Sequence, residues 1–123
     1  MENFKNITRE ELKKWMDEKT DFVLIDVLAQ GSYDARHLPG AVHAGVHEDG
    51  FLEKVSQLVP DKNKQVVVYC SSFTCQASPL AAKKLVEAGY MNVYDFTGGL
   101  ADWQDAGYLF EGEIAEEKSE TTM

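Results

Sequence analysis

Three short apolar runs constrain this chain more than any other feature: Phe22-Val23-Leu24-Ile25-Asp26-Val27, Gln65-Val66-Val67-Val68-Tyr69 and Asn92-Val93-Tyr94-Asp95-Phe96. Each is too short for a buried helix. None shows the strict polar alternation of a strand with one wet face, so each reads as a strand covered on both sides. Between them lie stretches whose apolar residues recur at helical spacing. Helices between buried strands act as crossovers, and crossovers join parallel strands. The expected fold class is therefore α/β, with a central mainly parallel sheet and helices on both faces.

The connecting segments fill in the order. Thr8-Arg9-Glu10-Glu11 has the form of a capping box, and Leu12, Trp15 and Met16 follow at helical spacing, so a helix is expected over 9–18. Residues 32–37 predict a short helix that the turn at Leu38-Pro39-Gly40 ends, and 41–44 predict a short strand. Phe51, Leu52, Val55, Leu58 and Val59 form a second helical stripe, stopped at Pro60. Ser78 followed by Pro79 reads as an N-cap and first turn. Leu80, Ala81, Ala82, Leu85 and Val86 continue that helix until Gly89. Gly98-Gly99 opens a last short helix through Leu100 and Trp103. The expected order is α-β-α-β-α-β-α-β-α in one domain over residues 4–110, with no internal repeat. Residues 111–123, carrying Glu111, Glu113, Glu116, Glu117 and Glu120 against one lysine, read as an acidic, disordered tail.

A chain of 123 residues can bury a core without covalent staples, so its two cysteines are not needed as a disulfide framework. The formal net charge of −9 argues against nucleic acid and anionic membranes as partners. The first six residues are mostly polar, with no apolar run after them, and no stretch has the length of a membrane span. These features predict a cytoplasmic protein with reduced thiols.

Cys70 ends the most apolar strand. In open α/β sheets, ligands gather beyond the carboxyl ends of the strands. The loop Ser71, Ser72, Phe73, Thr74, Cys75, Gln76 leads from Cys70 to a helix N-terminus, where unpaired N–H groups favour an anion. That placement is expected to lower the Cys70 pKa and make it a nucleophile. From position alone, the alternative of a small buried hydrophobe stays open.

The motifs together resemble a single-domain rhodanese, a sulfurtransferase-type module. Leu24-Ile25-Asp26-Val27 resembles the family's LIDVR strand. Tyr33-Asp34-Ala35-Arg36-His37-Leu38-Pro39-Gly40-Ala41-Val42 resembles its F-x-x-G-H-I-P-G-A segment. Val67-Val68-Tyr69-Cys70 resembles the strand that delivers the catalytic cysteine, and the helix and strand through Gly89-Tyr90 and Asn92-Val93-Tyr94 match in order. Gly98-Gly99-Leu100-Ala101-Asp102-Trp103 resembles the closing GG-x-x-x-W. The resemblance covers residues 4–108 and implies the rhodanese three-layer sandwich. It implies that Cys70 accepts a sulfane sulfur as a persulfide and passes it to a thiol or cyanide. The loop from Ser71 to Gln76 would cradle the persulfide with backbone N–H groups. Implied partners are a small sulfur donor, a thiol acceptor and a protein persulfide; no metal or organic cofactor is required.

The chain departs from the family pattern in three places. The loop from Ser71 to Ser78 carries no charge, Leu28 stands where LIDVR has its arginine, and the loop is longer than the short sulfurtransferase form. The form Cys70-x4-Cys75-x-Ala77-Ser78 resembles a subset of the family. An uncharged loop favours a persulfide or polysulfide donor over the thiosulfate dianion. Cys75 is either a thiol that resolves the Cys70 persulfide or a packed core residue. Arg36 and His37 are expected to border the site, with Arg36 a candidate source of positive charge. Asp26 is expected to cap the loop after its strand, and Phe73 to form an apolar lip or merely pack.

Three rival functions are weighed on chemistry. A cysteine phosphatase needs Cys, five residues and an Arg for the phosphate, but that position is Gln76. His43 and His47 with Cys70 and Cys75 offer zinc-ligand types, yet solvated or packed histidines explain them more simply. A catalytically silent interaction module of the same fold is the third.

Overall fold

The computed structural model of the chain describes residues 4–113. Five parallel strands form one sheet in the order β1-β5-β4-β2-β3, with β1 Lys5–Asn6, β2 Phe22–Asp26, β3 Val42–His43, β4 Gln65–Tyr69 and β5 Asn92–Phe96. Helices α1 Arg9–Asp17, α2 Gln30–Ala35, α3 Phe51–Leu58, α4 Ala77–Glu87 and α5 Gly99–Asp105 fill the connections. The α/β class, the buried central strands and their parallel pairing are as the sequence predicts. The sheet is fully parallel rather than mainly so; its three long strands pair in one register, with Leu24 beside Val67 and Val67 beside Tyr94.

Alternation along the strands divides the core. Ile25, Val66, Val68, Cys70 and Val93 point to one face, under Val55 of α3 and Ala81, Ala82 and Leu85 of α4. Leu24, Val67, Tyr69 and Phe96 point to the other, under Leu12 of α1 and Leu100 and Trp103 of α5. Cys70 and Tyr69, adjacent in sequence, thus serve opposite layers, as period-two geometry requires.

Several local expectations are corrected. The edge strand Lys5–Asn6 was not expected; it is two exposed residues long and is defined only by its pairing with Tyr94 and Asp95. Helix α2 runs two residues earlier than predicted and stops before Arg36, because Arg36 turns extended and His37 pairs through its backbone with Glu111 at 2.8 and 2.9 Å. The predicted tail is therefore anchored at its first residue, while 114–123 lie outside the described residues. On α3 only Phe51, Val55 and the following Val59 face the sheet; Leu52 and Leu58 are exposed, since spacing by four fills the contact stripe. Helix α4 begins at Ala77 with Gln76 at its cap position and no side-chain cap, so Ser78 lies inside the first turn. The capping box at Thr8 forms as expected, with the Thr8 side chain accepting from the Glu11 N–H and Glu11 reaching back. Among the described residues no helix is long and apolar enough to cross a membrane.

Candidate active site

The site is built on the carboxyl end of β4, the central strand. Cys70 follows Tyr69 directly and is fully buried; Cys75, across the loop, is half-buried. Both thiols are free. The loop folds back on itself through a Cys75 N–H to Ser72 carbonyl bond of 3.1 Å, and a Ser72 to Thr74 hydroxyl contact of 3.1 Å braces it. Ser71, Phe73 and Gln76 are exposed, Ser72 half-buried. Phe73 is 68% exposed and stands on the rim of an open groove shared with Ile7, Thr8, Arg9 and Gly98.

The first turn of α4 explains the local chemistry. A helix N-terminus leaves N–H groups without partners, and here sulfur accepts from them in place of a side-chain cap. The Ser78 N–H donates to the Cys70 sulfur, and the Ala77 N–H, with that of Ser71, donates to the Cys75 sulfur. Pro79, next in the turn, has no N–H to leave unmet. The Cys70 thiol donates to Ser78 Oγ at 3.4 Å; once Cys70 is ionised, that hydroxyl can turn and donate to the sulfur.

The carbonyls of the same segment are held on the opposite side. The Leu100 N–H donates to the Cys70 carbonyl at 3.0 Å and the Ala101 N–H to the Ser71 carbonyl at 2.9 Å. The start of α5 therefore satisfies these two acceptors.

The electrostatics reverse one expectation. Cys70 is not the more acidic thiol: burial pushes it up, its hydrogen bond to Cys75 pushes it further, and the Ser78 donors only partly offset this. Burial also pushes Cys75 up, but the hydrogen bonds from Cys70, from the Ser71 and Ala77 N–H groups and from the Ser71 hydroxyl outweigh it and hold Cys75 below the ordinary thiol value. Of the two, Cys75 is the thiol that ionises more readily. Iodoacetamide should label Cys75 before Cys70 in the native protein, with a pH midpoint below that of a free thiol. Peptide mapping across pH checks this, and prior labelling of Cys70 would contradict it.

The other expected site residues are placed as follows. Asp26 accepts from the Leu28 N–H at 2.9 Å and from the Tyr69 hydroxyl at 3.0 Å, and Tyr69 accepts from the Leu38 N–H at 3.0 Å. This buried chain fixes the end of β4 from the layer opposite to Cys70; desolvation pushes the Asp26 carboxyl up. Tyr69→Phe would strand the Leu38 N–H and one Asp26 oxygen, with an expected loss of about 1–3 kcal/mol in urea unfolding. An unchanged midpoint would contradict that role. Arg36 and His37 do not meet the loop: Arg36 donates to Gln104 and lies over the Phe110 ring, while His37 stacks on Tyr33 and bonds its carbonyl. His43 bonds the Leu28 carbonyl at 2.6 Å through Nε2. His47 lies beside a cavity of about 170 Å³ that Val27, Leu28, Gly45 and Ala77 also line. Among the described residues no group of three or more His, Cys, Asp or Glu is set to hold a metal.

Sequence reasoning assigned Ser78 to helix capping and missed it as the partner of Cys70. The available signal was a small hydroxyl residue at the start of the helix that follows the cysteine loop. The anchoring of the Cys70 and Ser71 carbonyls by α5 was also missed, since it joins segments about thirty residues apart and no local pattern records it.

The chain is 35% identical over 94 residues to the thiosulfate sulfurtransferase GlpE of Coxiella burnetii, an alignment covering 76% of this chain and 82% of that protein. It is 36% identical over 96 residues to the adenylyltransferase and sulfurtransferase UBA4 of Candida albicans, covering 73% of this chain but only 21% of that longer protein. The solution structure of the rhodanese-like domain of the Alr3790 protein from Anabaena superposes with a TM-score of 0.72 at 27% identity, over 93% of this chain and 82% of that one. A family description, the rhodanese-like domain, matches residues 8–106. With the parallel sheet, the cysteine at the end of its central strand and the glycine pair that anchors it, these matches make the chain a member of the rhodanese-like domain family.

Proposed function

We propose that this domain is a sulfurtransferase that carries a sulfane sulfur as a persulfide on Cys70 and delivers it to a thiol or cyanide acceptor. The observation that carries this reading is the cradle at Cys70: a buried thiol at the end of the central strand, with the Ser78 hydroxyl 3.4 Å from its sulfur and a second, more acidic thiol across the loop. The Cys70 thiolate, with the Ser78 hydroxyl turned to donate to it, attacks the outer sulfur of the donor. The donor's thiolate leaves, and Cys70 retains the sulfur. The named sulfurtransferases among the relatives support the reaction class.

The loop Ser71–Gln76 carries no charge, and the cavity beside Ala77 is lined mainly by apolar residues. Both features suit a persulfide or polysulfide donor better than a dianion, and a thiol pair that works reduced suits a cytoplasmic setting. The Cys70-x4-Cys75-x-Ala77-Ser78 loop marks the domain as a distinct subtype in this reading. The test is the intact mass of the protein after anaerobic incubation with glutathione persulfide or thiosulfate. A cyanide-labile sulfur that maps to the cysteine loop, gained more readily from glutathione persulfide, is the expected result. No sulfur gain from either donor would overturn the reading, and preferential use of thiosulfate would overturn the donor assignment.

A further inference from the structure

Cys75 has a placement that carrying sulfur on Cys70 does not require. Its side chain packs against the core cluster that contains Cys70 rather than pointing away from it. The turn from Cys75 to Ser72 closes the loop so that the two thiols become hydrogen-bond partners. Both remain free, with four residues between them, a loop short enough for their sulfurs to reach one another. Cys75 is the more accessible of the two, and the start of α4 supplies it with an N–H donor from Ala77.

We propose that Cys70 and Cys75 form a redox pair in which Cys75 attacks the persulfide on Cys70, releasing sulfide and leaving a Cys70–Cys75 disulfide. This rests on the Cys70 persulfide of the preceding section. The step balances as follows. Cys75 gives up its thiol proton and bonds its sulfur to the inner sulfur of the persulfide. The bond between inner and outer sulfur breaks, the outer sulfur leaves with the electron pair and the Cys75 proton, and hydrosulfide departs. The sulfane sulfur is reduced to sulfide while the two cysteines are oxidised to the disulfide. Regeneration takes two electrons from an external dithiol, which reduces the disulfide by thiol exchange. The domain then works as a dithiol reductase for sulfane sulfur as well as a transfer module, and its product depends on whether an acceptor thiol or Cys75 reaches the persulfide first.

The experiment compares wild type, Cys75→Ser and Cys75→Ala, each reduced, freed of reductant and mixed anaerobically with one equivalent of glutathione persulfide. Sulfide release, intact mass and free thiols are followed together, with circular dichroism confirming that the variants are folded. Wild type is expected to release sulfide at least about tenfold faster than either variant, to lose two hydrogens and to have both thiols blocked by a bond that a dithiol reverses. The variants are expected to hold one extra cyanide-labile sulfur on Cys70. If wild type also retains that sulfur, with free Cys75 and sulfide release equal to the variants, the redox pair is overturned while the sulfurtransferase reading stands. If no protein gains sulfur or loses thiols, both fall. A glutathione adduct in the variants in place of the extra sulfur would overturn the route through a persulfide.

Discussion

Cys70→Ser is expected to bring sulfur transfer down to the rate seen without protein while leaving the fold intact. Serine has nearly the same shape, and Ser78 Oγ, 3.4 Å from the native sulfur, supplies the new hydroxyl with a hydrogen-bond partner. Stability should therefore change by no more than about 1 kcal/mol. The chemistry fails for a different reason. A hydroxyl does not ionise at neutral pH in this buried setting, and its oxygen does not hold a transferable sulfane sulfur as a thiol does. Turnover with glutathione persulfide and cyanide measures the first effect, and the urea unfolding midpoint measures the second. A folded variant that kept more than about a hundredth of wild-type turnover would remove Cys70 from its central role.

Gly99→Ala is expected to have the largest effect of any single change away from the sulfurs. Gly99 has a φ of +59°, and a Cβ built there would lie 2.3 Å from the Cys70 carbonyl oxygen and 2.9 Å from the Ser71 carbonyl carbon. Those are backbone atoms, so no side-chain rotation relieves the clash. A left-handed alanine costs about 1–2 kcal/mol and forced overpacking about 1–3, which together predict a loss of about 3 kcal/mol or more. The relaxation has to separate α5 from the Cys70–Ser71 segment, which breaks the bonds from Leu100 and Ala101 to the Cys70 and Ser71 carbonyls. Sulfur loading should therefore fall along with stability. Thermal unfolding and loading assayed well below the transition separate the two effects. A variant with wild-type midpoint and loading would show that the close approach is not needed.

The two predictions explain why the family's glycine pair lies so far along the chain from its cysteine. The start of α5 bonds the Cys70 and Ser71 carbonyls, while the first turn of α4 meets the Cys70 thiol through Ser78. The same division accounts for Asp26 and Tyr69. They lie in the layer opposite to Cys70 and fix the strand end without touching the reacting atoms.

The apolar strands, the capping box and the cysteine loop were legible because each depends on residues close in sequence. Val66, Val67 and Val68 are buried in the sheet because a run of β-branched residues fits a strand packed on both sides and little else. Gly89, with a φ of +101°, ends α4 where the pattern places it. What failed was local only in appearance. Lys5–Asn6 is a strand solely because β5 lies beside it, and Arg36 leaves the helix because His37 pairs with Glu111, far along the chain. Leu52 and Leu58 match a helical stripe but face solvent, since the sheet contacts only one side of α3.

The sequence by itself determined the α/β class, the position of Cys70 at a strand end and the presence of a second thiol five residues on. Only the tertiary structure decided which thiol is the more acidic. Acidity depends on burial and on the N–H groups that converge on each sulfur. Those come from β4, its loop and the first turn of α4, while the start of α5 bonds the Cys70 and Ser71 carbonyls. Burial keeps Cys70 above the ordinary thiol value despite its Ser78 donors, whereas at Cys75 the hydrogen bonds, that from Cys70 first, outweigh burial.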